Sequence, residues 1–153
     1  MDENSLKVVA DAATDEEQIN ASLRKALRGT AFSNRMLISP RRLDELGREE
    51  TRNFYAFLDA LDTASVTERG RQMALDGLGQ ASVLSLCSAL RQTWLAVCQT
   101  SSNGLPKAIG AAENYTTALL LGYMQGREEE LRQEQERTRN AYLRTLEQQP
   151  SLD

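Results

Sequence analysis

Few side chains in this sequence have the type and spacing to do chemistry. Glu128, Glu129 and Glu130 form a run of carboxylates, the residue type of acid–base pairs and cation sites. Consecutive residues on a helix point about 100° apart, so the run reads as a solvated face and not as a converging site. Cys87 and Cys98 are eleven positions apart in one predicted helix, about 16 Å along its axis, too far for a disulfide while the helix is intact. Without CxxC spacing, and with an apolar face around them, they read as inert core thiols. The stretch GLGQAS, Gly77 to Ser82, has the glycine content of a phosphate-binding loop. No strand pattern precedes it and no lysine follows, so it reads as a tight corner. The chain has no histidine, which removes the usual general base, zinc ligand and haem ligand. Phe54, Phe57, Trp94 and Tyr115 are the residues for an apolar pocket between helices, or for filling the core outright. The expectation is a non-enzyme with no cofactor and no metal.

The elements that would carry these residues all have the helical period. Residues 1–13 are small, polar or acidic without a sustained period and read as an N-terminal arm. Thr14 with Glu17 has capping-box spacing, Ile19, Leu23, Ala26 and Leu27 share one face, and Gly29 is a suitable stop. Ser39 and Pro40 open a second helix with the stripe Leu43, Leu46, Phe54, Phe57, Leu58 and Leu61, in which Gly47 marks a bend or break. Ser65 with Glu68 repeats the capping-box spacing for a third. Ala81 to Cys98 is apolar on one face through Val83, Leu86, Leu90, Trp94 and Val97. Leu84, Ala89 and Leu95 lie elsewhere on it, which predicts the most enclosed helix. A last helix runs from Pro106 to about Gln149, with Ile109, Ala112, Thr116, Leu119, Leu120 and Tyr123 as its packing face. The fold class is all-α, a bundle of five or six helices with a long C-terminal helix leaving the body. Residues 14–126 form the domain, 127–149 a coiled-coil-like linker and 150–153 a tail.

That linker is the unusual feature. Between Arg127 and Arg139 there are five glutamates, four arginines and one aliphatic residue, Leu131. Pairs such as Glu128 with Arg132 contribute only about 0.2–0.5 kcal/mol each, enough to support a helix but not to place it. Seven-residue steps align Met124, Leu131, Thr138 and Thr145 beside Leu120 and Ala141, a thin seam for a parallel homodimer. The alternative is a solvated single helix. A linker role requires a downstream module, so the chain is either a fragment or a stand-alone protein.

Charge and hydropathy narrow the partners. A net charge of -4, with arginines interleaved among acids, gives no cationic stripe for nucleic acid. No window approaches the roughly 18–20 continuous apolar residues of a membrane-spanning helix. The acidic N-terminus lacks a secretory apolar region, so a cytoplasmic location is expected.

Three segments together carry a family resemblance: ISPRRLDELGREETRNFYAFLDAL (38–61), ERGRQMALDGLGQASVLSLCSALRQTWL (68–95) and GREEELRQEQERTRNAYLRTLEQQ (126–149). In order and layout they resemble the N-terminal sensor domain of RsbR-type stressosome regulators and related bacterial signalling proteins. The resemblance implies a globin-like helical domain without haem, dimeric, whose last helix runs into a C-terminal STAS domain or another signalling output. Residues 1–153 hold no STAS pattern, so among them the threonines phosphorylated in that family by the kinase RsbT have no counterpart, and no functional residue is carried over.

Overall fold

Amphipathic stripes of period 3.6 become five α-helices, and no strand occurs among the described residues. The structure, a computed structural model, describes residues 13–99 and 105–150. In chain order the helices are α1 (Ala13–Gly29), α2 (Pro40–Ala60), α3 (Thr63–Leu75), α4 (Gln80–Cys98) and α5 (Leu105–Glu147), with a 3-10 turn at Ala31–Ser33. The expected arm lies outside the described residues except for Ala13, as does the tail beyond Pro150. The Thr14 side chain is likewise outside them.

Local chemistry explains most boundaries. The Ser39 hydroxyl accepts from the Arg42 N–H at 3.2 Å and Pro40 occupies the first turn, where its missing N–H costs nothing. The capping box expected at Ser65 is not the start of α3. Asp62 is the N-cap, its carboxylate accepting from the Ser65 N–H at 3.2 Å, because the helix begins two residues earlier, at Thr63. At the α3–α4 corner Gly77 takes φ +90°, the left-handed region, and Tyr123 donates its hydroxyl to the Leu78 carbonyl at 2.8 Å. Gly47 does not break α2, which is continuous; a Cβ there would stand 2.7 Å from the Arg24 side chain, so the glycine lets α1 approach.

α1 packs on α2 and α4, α4 packs on α5, and α3 lies against α5. Ile19, Leu23, Leu86, Leu90 and Leu119 are wholly buried at the centre of one continuous core. The α3–α5 crossing is the closest. A Cβ on Gly70 would meet the Leu119 carbonyl carbon at 2.9 Å, and one on Gly126 would meet the Ala74 Cβ at 2.7 Å. One on Gly122 would reach the Thr67 carbonyl carbon at 2.7 Å. Glycines at these three places let two backbones touch.

α4 departs from its expected enclosure: Val83, Leu86, Leu90, Trp94 and Val97 are buried, but Leu84 and Leu95 are exposed. Ile109, expected on the packing face of α5, is also exposed, whereas Ala112, Thr116, Leu119 and Tyr123 are buried. By length and composition α4 is long and apolar enough to cross a membrane, which the sequence reading did not anticipate; its inward face is part of the core.

Candidate functional site

The expected aromatic pocket is a packed cluster. Phe54 on α2 meets Trp94 at 5.0 Å between ring centroids and Tyr115 at 5.1 Å, and Phe57 meets Tyr115 at 5.3 Å, all edge to face. The Trp94 indole N–H donates to the Ala108 carbonyl at 2.8 Å, fixing the first turns of α5 on α4. The four rings occupy the space they were expected to line. Trp94 alone among them borders an open groove of about 280 Å³ on the outer side of the α4–α5 pair, with Leu95, Cys98, Ile109 and Ala112, and with Arg91 and Glu113 at its edge. Cys87 and Cys98 are free and buried, and burial pushes their thiols up to about 12 and about 11. They are poor nucleophiles and poor ligands at neutral pH.

Beside the rings lies a polar cluster that sequence reasoning missed. Glu50 on α2 is 1% exposed, its carboxylate faces the Arg69 guanidinium of α3, and its Oε2 accepts from the Tyr115 hydroxyl of α5 at 3.2 Å. Burial lowers the Arg69 pKa and raises that of Tyr115, so desolvation is the largest influence on both groups. The available signal was position: Glu50 falls in the stripe Leu43, Gly47, Phe54, Phe57, where an acid is out of place.

The second missed feature is at the root of the extension. Glu129 takes a two-pronged bond from Arg71 of α3, Nε to Oε2 at 2.9 Å and Nη2 to Oε1 at 3.1 Å, and Arg71 also holds Glu68 at 2.9 Å. Glu130 pairs with Arg35, from the connector between α1 and α2, and with Arg127 at 2.7 Å. Arg35 reaches the Ala74 carbonyl as well. Burial pushes the Glu130 carboxyl up, but the bonds and charges of Arg35 and Arg127 outweigh it and hold the group below its ordinary value. The run 128–130 is therefore not simply a solvated face: two of its three acids anchor α5 to the body. Only Glu128 points outward, pairing with Arg132 at 4.0 Å, the one expected pair that the structure makes in that stretch.

Beyond Glu130 the helix is bare. Residues 131–147 are exposed throughout, about 25 Å of rod. Of the predicted seam, Leu120 is partly buried, while Met124, Leu131, Thr138, Ala141 and Thr145 are exposed. Leu131, Thr138 and Tyr142 line one shallow groove, which does not include Ala141; Tyr142, missed in the sequence, continues the stripe instead. Toward the body Leu131 and Met124 line a wider groove of about 740 Å³ with Leu120, Leu121 and, from α4, Leu84. Leu131 belongs to both grooves, so exposed apolar residues reach from the α4–α5 face onto the rod, where polar residues separate Leu131 from Tyr142. No family model, curated protein or solved structure matches the chain.

Proposed function

We propose that this chain is a non-catalytic sensory or regulatory dimerisation module of a cytoplasmic bacterial signalling protein, of the RsbR-like kind, which passes a change in its helical body through α5 to an output domain. The observation that carries this reading is the 43-residue α5: its first half is core, its second half is exposed, and a sparse row of exposed apolar side chains continues from one to the other. A lone α5 gains nothing from Leu121 at 50%, Met124 at 67%, Leu131 at 48% and Tyr142 at 64% exposure. Covering them with the same stripe of a second copy removes apolar area from water in parallel register. The thinness of the seam fits a contact that shifts register or splay, not a permanent coil.

Sedimentation velocity across the micromolar range tests it. A reversible dimer that Leu131→Arg with Tyr142→Arg abolishes, with the helical signal of the body intact, is the expected result. A monomer throughout, both for this chain and for a longer form carrying whatever follows Asp153, would sink the reading.

A second reading, a helical sensor or carrier for a small apolar ligand, is supported by the groove at Trp94, Leu95, Cys98 and Ile109. Native mass spectrometry and an absorption spectrum of freshly purified protein decide it: bare mass and a colourless sample argue against a retained ligand.

A further inference from the structure

The connector between α1 and α2 is fixed to the body in an uncommon way. Its larger apolar side chains mostly point outward: Phe32 and Leu37 are fully exposed and Met36 is 59% exposed, while Ala31 and Ile38 pack partly against the core. Its attachments are mostly polar. The Arg35 N–H donates to the Gly77 carbonyl at 2.9 Å, and the Asn34 Oδ1 accepts from the Gly79 N–H at 2.9 Å and from the Ser82 hydroxyl at 2.7 Å. From this segment the Arg35 guanidinium reaches across to the Ala74 carbonyl and to Glu130, at the point where α5 leaves the body.

Lifting this segment uncovers only the partly buried Ala31 and Ile38 and the side of Met36 that lies over Gly77, because Phe32 and Leu37 are already in water. What it breaks is a small set of directional, partly charged bonds, and segments of that kind open locally at the low end of a protein's stability range. The α3–α5 crossing behaves oppositely, since its backbones touch at Gly70, Gly122 and Gly126 and cannot slide. The Arg35–Glu130 bond therefore joins a segment that can lift to the first turn of α5 past the rigid crossing.

We propose that the connector, residues 30–39, is a latch on the output helix: through Arg35 it holds Glu130 against the body, and its opening leaves the Arg71–Glu129 bond as the last anchor at the root, so that α5 beyond Glu130 frays or reorients more readily. This deepens the output reading above and rests on it for its biological sense. The physical claim concerns only the latch, and it stands or falls independently of dimer formation.

Hydrogen exchange read by mass spectrometry on the full chain at one fixed concentration tests it, comparing the native protein with Arg35→Met, Arg35→Lys, Glu130→Gln and the control Arg132→Met. The expected result is exchange about tenfold faster in peptides covering 127–134 and the connector for Arg35→Met, as for loss of one charged hydrogen bond. Glu130→Gln should match it and Arg35→Lys should fall between, since an ammonium can hold the carboxylate but not the Ala74 carbonyl together with it. Peptides from α4 and from residues 105–120 should not change. Unchanged exchange at 127–134 in Arg35→Met overturns the latch, and so does an equal rise in Arg132→Met. A rise in every peptide for both Arg35→Met and Glu130→Gln also overturns it, because Arg35 would then support the body as a whole.

Discussion

Adding one methyl group at Gly122 should break the α3–α5 crossing, and adding one at Gly110, on the same helix, should strengthen the protein. In isolation each change favours helix by about 1 kcal/mol, because glycine is the poorer helix former. The surroundings decide the sign. At Gly110 a Cβ meets nothing within 4 Å. At Gly122 it would overlap the Thr67 carbonyl oxygen and stand 2.7 Å from the carbonyl carbon, where ordinary contact begins at 3.4 Å. The obstacle is backbone, so no rotamer change relieves it, and the helices must part by at least about 0.7 Å along their closest line. Overpacking typically costs about 1–3 kcal/mol, and an unyielding neighbour puts this case at the upper end. Subtracting the helix gain leaves Gly122→Ala destabilised by about 2 kcal/mol, or about 4–8 °C in Tm for a chain of this size. Gly110→Ala should rise by about 2–4 °C. Thermal melts followed by circular dichroism at matched protein concentration read both. A Gly122→Ala protein as stable as the native one would refute the claim that glycine is there to let backbones touch.

Three further outcomes follow from the polar groups. Glu50→Ala, which strands the largely buried Arg69, should cost about 3 kcal/mol in urea unfolding, whereas Glu50→Leu combined with Arg69→Met should recover most of that loss; equal losses in the single and double variants would argue against a desolvated pair. Asp44, held below the ordinary carboxylate value first by the hydrogen bond from Arg28, and Glu130, held below it by Arg35 and Arg127 against the upward push of burial, are groups whose folded pKa is depressed. Their contribution is therefore complete above the unfolded values, 3.8 and 4.5, and is lost as pH falls through the lower folded values, so stability should drop on acidification below about pH 4.5 and lose part of that drop in Glu130→Gln. Cys87 and Cys98 should resist a thiol reagent in the native protein at pH 8 and both react in urea, because burial pushes them up to about 12 and about 11; fast native labelling of either would show that the α4 face opens.

Features that one helix determines by itself were legible in the sequence. The stripes Ile19–Leu23–Leu27 and Val83–Leu86–Leu90–Trp94 gave the helices and their inward faces, and Ser39–Pro40 gave the start of α2 to the residue. Features made by two helices were not legible. Glu129 and Glu130 read as solvated because Arg71 and Arg35 are 58 and 95 positions away, and only the fold brings them within reach. Gly122 and Gly126, four apart, carry no signal of their own in a helical run; their meaning lies in the α3 backbone that crosses them. Leu84 and Leu95 lead to the expectation of an enclosed α4, and spacing places Ile109 on the packing face of α5; pattern and hydropathy record what a side chain favours and not whether this chain supplies a cover for it.

Three consecutive residues of α3 make the physical case for communication between body and rod. Arg69 reaches inward to Glu50 and, through that carboxylate, to Tyr115. Gly70 brings the backbone of α3 onto that of α5, and Arg71 reaches along α5 to Glu129 at the root of the extension. A displacement of α2 that moves Glu50 pulls on Arg69. Because the glycine crossing leaves no slack, α3 must then move with α5 or strain against it. On the proposed output reading, Arg71 carries that choice to Glu129, at the root of the rod. The hydrophobic core alone would not do this, since apolar side chains repack over small shifts while a charged bond aimed at one carboxylate is either made or broken. For the proposed output role, the buried Glu50–Arg69 pair is better understood as a coupling between helices than as a source of stability.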